Sequence, residues 1–409
     1  FVAAYMRNKL GWGWAFAAAG VGMLIGVVIF LSGTRHIKEA DIMKPANKED
    51  MSLARIFGVV LLPVFGFGVL GWLIPGNIFG SDANDAFLIG CIPVVAFYAS
   101  LYFKAAAEDK RPIGALLSIF LCVIVFWAVF HQNGDALTVY AKDYTDREMP
   151  PAVASVASKV DMVETVNYHE SVNYSPERFS AYLDSLSAGK AQLDAAGQKS
   201  ESEALGKLIS IRKASYEYFS NLPENERPER GESLLLYSTE LYQSVNPFWV
   251  VLLTPVVVGF FGWMRKRGKP VSTPAKIALG LFITGLSTLV MVGAVTAVQM
   301  EDAKASSWWL IASYGVITVG ELCLSPMGLS LVSKLSPPRL TALLMGGWFL
   351  STAVGNKLSG MISGLWEGFG YHEKHYFFLI NFAACIGAAI ALLLLLRWLK
   401  AVMKEKNIE

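Results

Sequence analysis

Charge is scarce in this sequence. Only 17% of its 409 residues are Asp, Glu, Lys or Arg, while 54% are hydrophobic, a balance far too apolar for an ordinary soluble domain. The few charges nearly cancel, at a formal net charge of +2, so no bulk field exists to attract a nucleic acid. Cysteine is rare as well. Cys91, Cys122, Cys323 and Cys385 each fall inside an apolar run, without paired spacing, which excludes a disulfide framework or a zinc site and leaves small buried hydrophobes. There is no HExxH, no P-loop glycine pattern and no nucleophile elbow, so the sequence points to no enzyme and no cofactor. The opening "FVAAYMRNKLGWGW" lacks the basic start and small-residue cleavage site of a signal peptide. It reads as the tail of an earlier helix, and the expectation is that the sequence is a fragment.

What the chain has in abundance is long apolar runs. A membrane helix needs about 20 such residues. Nine candidates lie at 12–31, 56–75, 86–104, 113–130, 248–264, 276–298, 307–332, 341–365 and 376–397. The fold class is therefore an all-α polytopic membrane protein. Basic residues orient it, because Lys and Arg concentrate in cytoplasmic loops. "TRHIKEADIMKPANKEDMSLARIF", "FKAAAEDKRP", "MRKRGKP", "SKLSPPRL" and the C-terminus are basic, whereas "PGNIFGSDANDAF" has no Lys or Arg. Alternate loops are then cytoplasmic, which places 146–245 outside.

Residues 146–245 differ in kind, being polar with helical periodicity. Ser175 reads as an N-cap with Pro176 at the first helical position, and "NLPENERPERG" as a breaker. The segment is expected to be a small α-helical unit outside the membrane, a solvated spacer before a partner-binding module. Gly22/Gly26 and Gly360/Gly364 are spaced for close helix approach, as in any membrane bundle.

Few polar residues lie within the runs. Glu321, in "GELCLSPMGLS", stands near the middle of one. An acid at that depth is costly, so it faces a protein interior or a watery cavity and marks a pathway, the plainer alternative being a structural ion pair. Ser325 and Gly328 share its helix face, and Pro326 removes a backbone hydrogen bond near Leu322. In "FWAVFHQNGDALTVYA", Trp127, His131 and Asp135 fall at i, i+4 and i+8, on one face of a helix. His131 can titrate near neutral pH, while Trp127 fits a cavity wall or an interfacial belt equally well. Asn246, before Pro247, is either a helix cap or a ligand contact. Trp348, Thr352 and Asn356 form another stripe, with Lys357 snorkelling near the outer side. His372 and His375 in "YHEKHY" have no third ligand cluster and read as a solvated loop.

Together, "GELCLSPMGLSLVSKLSPPRL", "MGGWFLSTAVGNKLSG", "FWAVFHQNG" and "NPFWVVLLTPVVV" resemble the proton-dependent oligopeptide transporter family of the major facilitator superfamily. The resemblance implies two six-helix bundles joined by two linker helices. It assigns 1–32 to helix 6, 33–111 to a cytoplasmic loop and the linker helices, 112–145 to helix 7, 146–245 to an extracytoplasmic insert and 246–409 to helices 8–12. It implies Glu321 as the gating and proton-coupling glutamate of helix 10, Ser325 as its neighbouring serine, Trp127 and Trp348 as cavity tryptophans and Asn246 as a peptide contact. His131 stands where the family usually has an acid, and Asp135, one turn on, is the candidate substitute. The family's helix-1, helix-4 and helix-5 motifs lie outside this sequence.

The implied function is proton-coupled import of di- and tripeptides across the bacterial cytoplasmic membrane, with peptide, protons and the lipid bilayer as partners. Rivals are the same scaffold carrying nitrate or an amino-acid derivative, a receptor or scaffold built on 146–245, and a membrane-embedded enzyme.

Overall fold

The computed structural model describes residues 2–37, 52–158, 163–220, 222, 227–297, 304–370 and 373–406. A short helix over Val2–Leu10 breaks at Gly11, whose φ of +93° no side-chain-bearing residue adopts readily. Helix α1 (Trp12–Ile37) follows. A helical segment from Leu53 runs through a π turn into α2 (Leu62–Trp72), which pairs with α3 (Asp82–Lys104). The tight turn between them is held by Asp85, a fully buried carboxylate that accepts hydrogen bonds from Ile78 N and Phe79 N, both at 2.7 Å.

Helix α4 (Ala107–Phe130) passes through a 3₁₀ turn at His131–Asn133 into α5 (Ala136–Asp143). The polar segment between α5 and α8 carries α6 (Pro176–Ala195) and α7 (Lys199–Phe219). Then come α8 (Val245–Lys266), α9 (Thr273–Ala297), α10 (Ser307–Leu335), α11 (Thr341–Ser363) and α12 (Lys374–Glu405). Each of the nine expected runs holds a helix, several of them longer than the apolar stretch alone: the fourth starts at Ala107 instead of 113, while the second ends at Trp72 instead of 75 and residue 298 of the sixth lies outside the described residues. Eight spans among the described residues are long and apolar enough to cross a bilayer. Helix α11 is the ninth by length but less apolar, because Ser351, Thr352, Asn356, Lys357 and Ser359 interrupt it. That polarity suits a helix facing a polar interior.

The core forms where α4, α9, α10, α11 and α12 converge, around fully buried Ile113, Leu116, Ile119, Val123, Phe126 and Leu281. By contrast, the hydrophobic windows of α1, of the Ala54–Trp72 span that contains α2, and of α8 are each only 6% buried. These three helices therefore remain free for lipid or for other protein. Close helix approach occurs at Gly355 and Gly328, not at the pairs the spacing singled out: a Cβ on Gly22, Gly26 or Gly360 would meet nothing within 4 Å. On Gly328 it would lie 1.8 Å from the Trp348 ring. The four cysteines are free thiols, three of them buried.

The segment between α5 and α8 is not all helix, contrary to expectation. Strands β2 (Val163–Asn167) and β3 (Ser233–Tyr237) pair antiparallel, and Val166, Val172, Tyr218, Phe219 and Leu236 make a separate small core. These strands are short and lie about 66 residues apart in sequence, from Asn167 to Ser233, so no local signal joins them. The capping expectation holds: Ser175 Oγ accepts from Arg178 N at 3.3 Å, with Pro176 at the first turn.

One buried cation fastens this segment to the membrane helices. Lys304 Nζ donates to the Asp143 carbonyl at 2.6 Å, at the end of α5, and lies 4.4 Å from the Tyr218 ring of α7. Burial, and then the nearby Arg147, lower its pKa from 10.5 to about 7, against a partial opposing pull from Asp143 and Asp146. The unfolded chain therefore holds more protons than the folded one between about pH 7 and 10, and folding stability rises with pH across that window. Below pH 7 the cost of the buried ammonium is fully present. Lys304→Met should raise the melting temperature at pH 6–7 and flatten its pH dependence, as thermal unfolding followed in detergent at stepped pH would register.

Candidate functional site

Glu321 lies about halfway along α10. It is half-buried, and its carboxylate meets a side chain from a different helix. Asn246 Nδ2 donates to Glu321 Oε2 at 3.2 Å and to Thr318 Oγ1 at 3.0 Å. Thr318 sits three residues before Glu321, which puts both on one helical face. One amide thus bridges two acceptors on α10. Among the described residues Glu321 has no ion-pair partner, so its second oxygen is available to a proton or a cation.

Asn246 is therefore not a helix cap. Helix α8 begins at Val245, Ser244 occupies the cap position without a side-chain bond, and Asn246 points across to α10. The cap reading fails because the short helix at Glu240–Gln243 runs almost directly into α8, which moves the start two residues upstream, from Pro247 to Val245. Trp249, one turn on, donates its indole N–H to the Ile311 carbonyl at 3.1 Å, fixing the register of α8 on α10. Ser325 is half-buried on the turn after Glu321 and bonds to neither Glu321 nor Asn246.

On the opposite side of the core, the stripe of Trp127, His131 and Asp135 is not carried by one continuous helix. The 3₁₀ turn starts at His131, and Asp135 has φ −108° and ψ −98°, outside helical values. Gly134 and the polar run "HQNGD" account for the break, since Asn, Gly and Asp favour turns over helix interiors. Trp127 and His131 nevertheless stack, with ring centroids 5.2 Å apart and planes 24° from parallel. Trp127 Nε1 and His131 Nε2 are both buried and neither finds a protein hydrogen-bond partner among the described residues. This pair faces the protein and is not an interfacial belt: Gly355 of α11 packs directly on the Trp127 Cβ.

Asp135 instead joins a bridge to α11. Ser359 Oγ donates to Asp135 Oδ2 at 3.1 Å, while Gln132 Nε2 donates to the Ser359 carbonyl and hydroxyl at 3.0 and 3.1 Å. Ser359 is fully buried and Gln132 4% exposed, so these bonds count for more than surface contacts would. Gln132, Ser359 and Thr318 carry the geometry here, yet none was singled out as a site residue from the sequence. The signals for them were a Thr at i−3 from Glu321, a Ser at i+3 from Asn356, and Gln132 as the glutamine that follows His131 where the family usually has an acid.

Trp348 is 2% exposed. Its ring sits against Gly328 and edge-on to Phe120, with centroids 6.3 Å apart. The expected stripe runs from this buried ring through half-buried Thr352 to exposed Asn356, so Trp348 lies behind the polar surface in this structure and not on it. Lys357 is half-buried. His372 lies outside the described residues, so the expected pair with His375 has no structural description. Among the described residues no cluster of three His, Cys, Asp or Glu is placed to hold a metal.

Comparison with known proteins places this arrangement. Residues 1–162 and 235–377 match the profile of the POT family; the interval between them holds β2, α6 and α7. The chain is 25% identical over 395 residues to the "Uncharacterized transporter YclF" of Bacillus subtilis, covering 95% of this chain and 61% of that protein. It is 23% identical over 389 residues to a di-/tripeptide transporter of Lactococcus lactis subsp. lactis, covering 93% and 61%. Identity rises to 39% over 127 residues, 31% of this chain and 25% of the relative, for dipeptide and tripeptide permease A of Proteus mirabilis. This chain spans about three-fifths of the length of the first two.

Among solved structures, a POT family transporter in complex with a thioalcohol-conjugated peptide aligns with a TM-score of 0.60 at 17% identity, covering 97% of this chain and 66% of that one. A peptide transporter POT in complex with sulfate aligns at 0.58 and 21% identity, covering 98% and 65%. At these identities the structures speak for the fold. With the profile matched over most of its length and eight helices among the described residues long and apolar enough to cross a membrane, the chain belongs to the POT family of multi-pass membrane transporters.

Proposed function

We propose that this chain is the major part of a proton-coupled symporter that imports di- and tripeptides across a bacterial cytoplasmic membrane by alternating access. The observation that carries the reading is the contact of Asn246 with Glu321: a polar pair from two helices, set inside an otherwise apolar bundle. A carboxylate there is expensive unless it trades partners. Protonation makes Glu321 neutral and tolerable in an apolar surrounding; loss of the proton makes it an acceptor for a cation, either a peptide's amino group or a basic side chain. Asn246 holds one oxygen in either state, so the exchange occurs at the other.

Short peptides have two charged ends and variable side chains, so a site must fix the ends and tolerate the middle. Glu321 and Asn246 are assigned to the amino end and the backbone, with Ser325 as a further polar contact. Trp127 forms an apolar wall, and Trp348, packed on Gly328, braces the helices behind it. His131 and Asp135 are assigned to the outer gate, where Ser359 already holds Asp135. In this assignment α1 is helix 6, α2 and α3 are the linker helices, α4 with α5 is helix 7, and α8 to α12 are helices 8 to 12.

The test is uptake into liposomes bearing the full-length protein, with an acidic exterior. Labelled dipeptide should accumulate, collapse of the pH gradient should abolish accumulation, and unlabelled tripeptide should compete while nitrate does not. Competition by nitrate but not by tripeptide would overturn the peptide assignment.

A further inference from the structure

We propose that the protein carries a second, outer binding site for the free amino end of a short peptide, in the cavity between the outer segment and the outer ends of α8 and α10. The proposal rests on the transport reading for its purpose, though not for the binding itself. The cavity has a volume of about 500 Å³ and is lined by Asp146, Glu148, Tyr237, Tyr242, Trp308 and Ile311, among others. That volume is within the range that small-molecule sites occupy.

A strap of backbone builds it. Strand β1 (Thr145–Asp146) pairs with β4 (Ala305–Ser306), at the entrance to α10. The same chain then crosses to β3, where Tyr237 N donates to the Arg147 carbonyl at 2.8 Å and Met149 N to the Leu235 carbonyl at 3.0 Å. Side chains alternate along extended backbone. Asp146 and Glu148 therefore share the cavity face, while Arg147 turns to the other side and is taken by Glu164 at 2.5 Å.

Both acids are exposed, and neither is ion-paired among the described residues. Asp146 Oδ1 is engaged by Glu148 N at 3.0 Å and by the Tyr218 hydroxyl at 3.4 Å. Its other oxygen and the whole Glu148 carboxylate have no hydrogen-bond partner among the described residues. The charge of Asp146 reaches Lys304, but the Lys304 ammonium itself is committed to the Asp143 carbonyl and the Tyr218 ring.

The remaining walls fit an ammonium group attached to an apolar body. Tyr237, Tyr242 and Trp308 supply aromatic faces, which attract cations, and Ile311 an aliphatic surface. Tyr242 is held in place by a 2.5 Å hydrogen bond with Ser307, whose hydroxyl also reaches the Asp146 carbonyl. Trp308 is 74% exposed, so its face is open to a ligand, although exposure is ordinary for a tryptophan at a membrane-helix end. The cavity is also continuous in sequence with the central site. Val245 lines it and Asn246 is the next residue, while Ile311 precedes Glu321 by ten residues, about 15 Å along a helix. That rise exceeds an extended tripeptide, which spans at most about 11 Å, so the outer and central sites would be occupied separately.

The experiment uses the full-length protein in detergent and a dipeptide carrying a photoreactive diazirine on its side chain, with its N-acetylated form as control. Irradiation followed by mass spectrometry should find label in the 235–242 and 306–311 stretches from the free-amine probe only. Asp146→Asn with Glu148→Gln should cut that labelling about fivefold or more; asparagine keeps the acceptor that Tyr218 and Glu148 N use. Glu321→Gln should leave it unchanged. Equal labelling by the acetylated probe, or labelling indifferent to the double substitution, overturns the proposal. Acid-dependent labelling in a protein that fails to take up dipeptide would uphold this site and sink the transport reading instead.

Discussion

Glu321→Gln should abolish accumulation of peptide driven by a pH gradient while leaving exchange of labelled for unlabelled peptide across the same membrane measurable. The asymmetry follows from what the substitution removes. Glutamine retains a carbonyl oxygen at the position of Oε2, so the donor bond from Asn246 and the packing of α8 on α10 survive. What disappears is the ability to gain and lose a proton and to accept from a cation with a full charge. Hydrogen bonds to a charged group contribute about 1.5–3 kcal/mol, which corresponds to a fall of roughly 10- to 150-fold in any step where the carboxylate holds a cation. Net accumulation needs that step in every cycle, whereas exchange needs no net proton movement. Accumulation by the Gln variant equal to that of the parent would remove Glu321 from the mechanism. Loss of exchange together with accumulation would instead assign it to peptide binding alone.

Gly355→Val should destabilise the helix bundle more than any other single substitution considered, and disconnect Trp127 from its setting. A Cβ on Gly355 would lie 2.5 Å from the Trp127 Cβ, 2.8 Å from the Ile124 carbonyl oxygen and 3.1 Å from Ala128 N. Two of these are backbone atoms of α4, which cannot rotate away, so α4 and α11 must separate. The separation stretches the bridge one turn further on, where Gln132 and Asp135 meet Ser359. Overpacking alone costs about 1–3 kcal/mol, and loss of the Gln132 bonds to Ser359 adds about 0.5–1.5 kcal/mol, since Gln132 Nε2 keeps its bond to the Ala128 carbonyl. The melting temperature in detergent should fall by several degrees, with a broadened size-exclusion peak. Gly360→Val, on the same helix but facing open space, is the control and should change little. Equal stability of the two variants would show that α4 and α11 do not approach as closely as the structure places them.

The two predictions address different layers of the molecule. The first concerns a group whose charge is its function; the second a contact whose only content is distance. The Asp135–Ser359 and Gln132–Ser359 bonds cannot hold if the helix pair beneath them is forced apart.

Much of the architecture could be read along the chain. Nine apolar runs became nine helices because a bilayer demands long stretches without charge, and that demand is written locally, residue after residue. Ser175 with Pro176 announced a helix start for the same reason: the cap and its amide are three residues apart. Glu321 stood out through cost alone, as an acid where acids are rare.

Other features depended on which helix faces which, and no local pattern carries that. Asn246 reads equally as a cap or a contact until α10 is placed beside α8, and its partner lies 75 residues on. Trp348 reads as a cavity wall until Gly328, on another helix, is seen to receive its ring. The β2–β3 pair joins two short strands across a helical hairpin, and the strap carrying Asp146 and Glu148 joins β4 to β3. The order of apolar and polar residues decides that a segment crosses the membrane. Which side chains then meet inside is decided by packing between helices, where close fit and satisfied hydrogen bonds select one arrangement among many that share the same hydrophobic pattern.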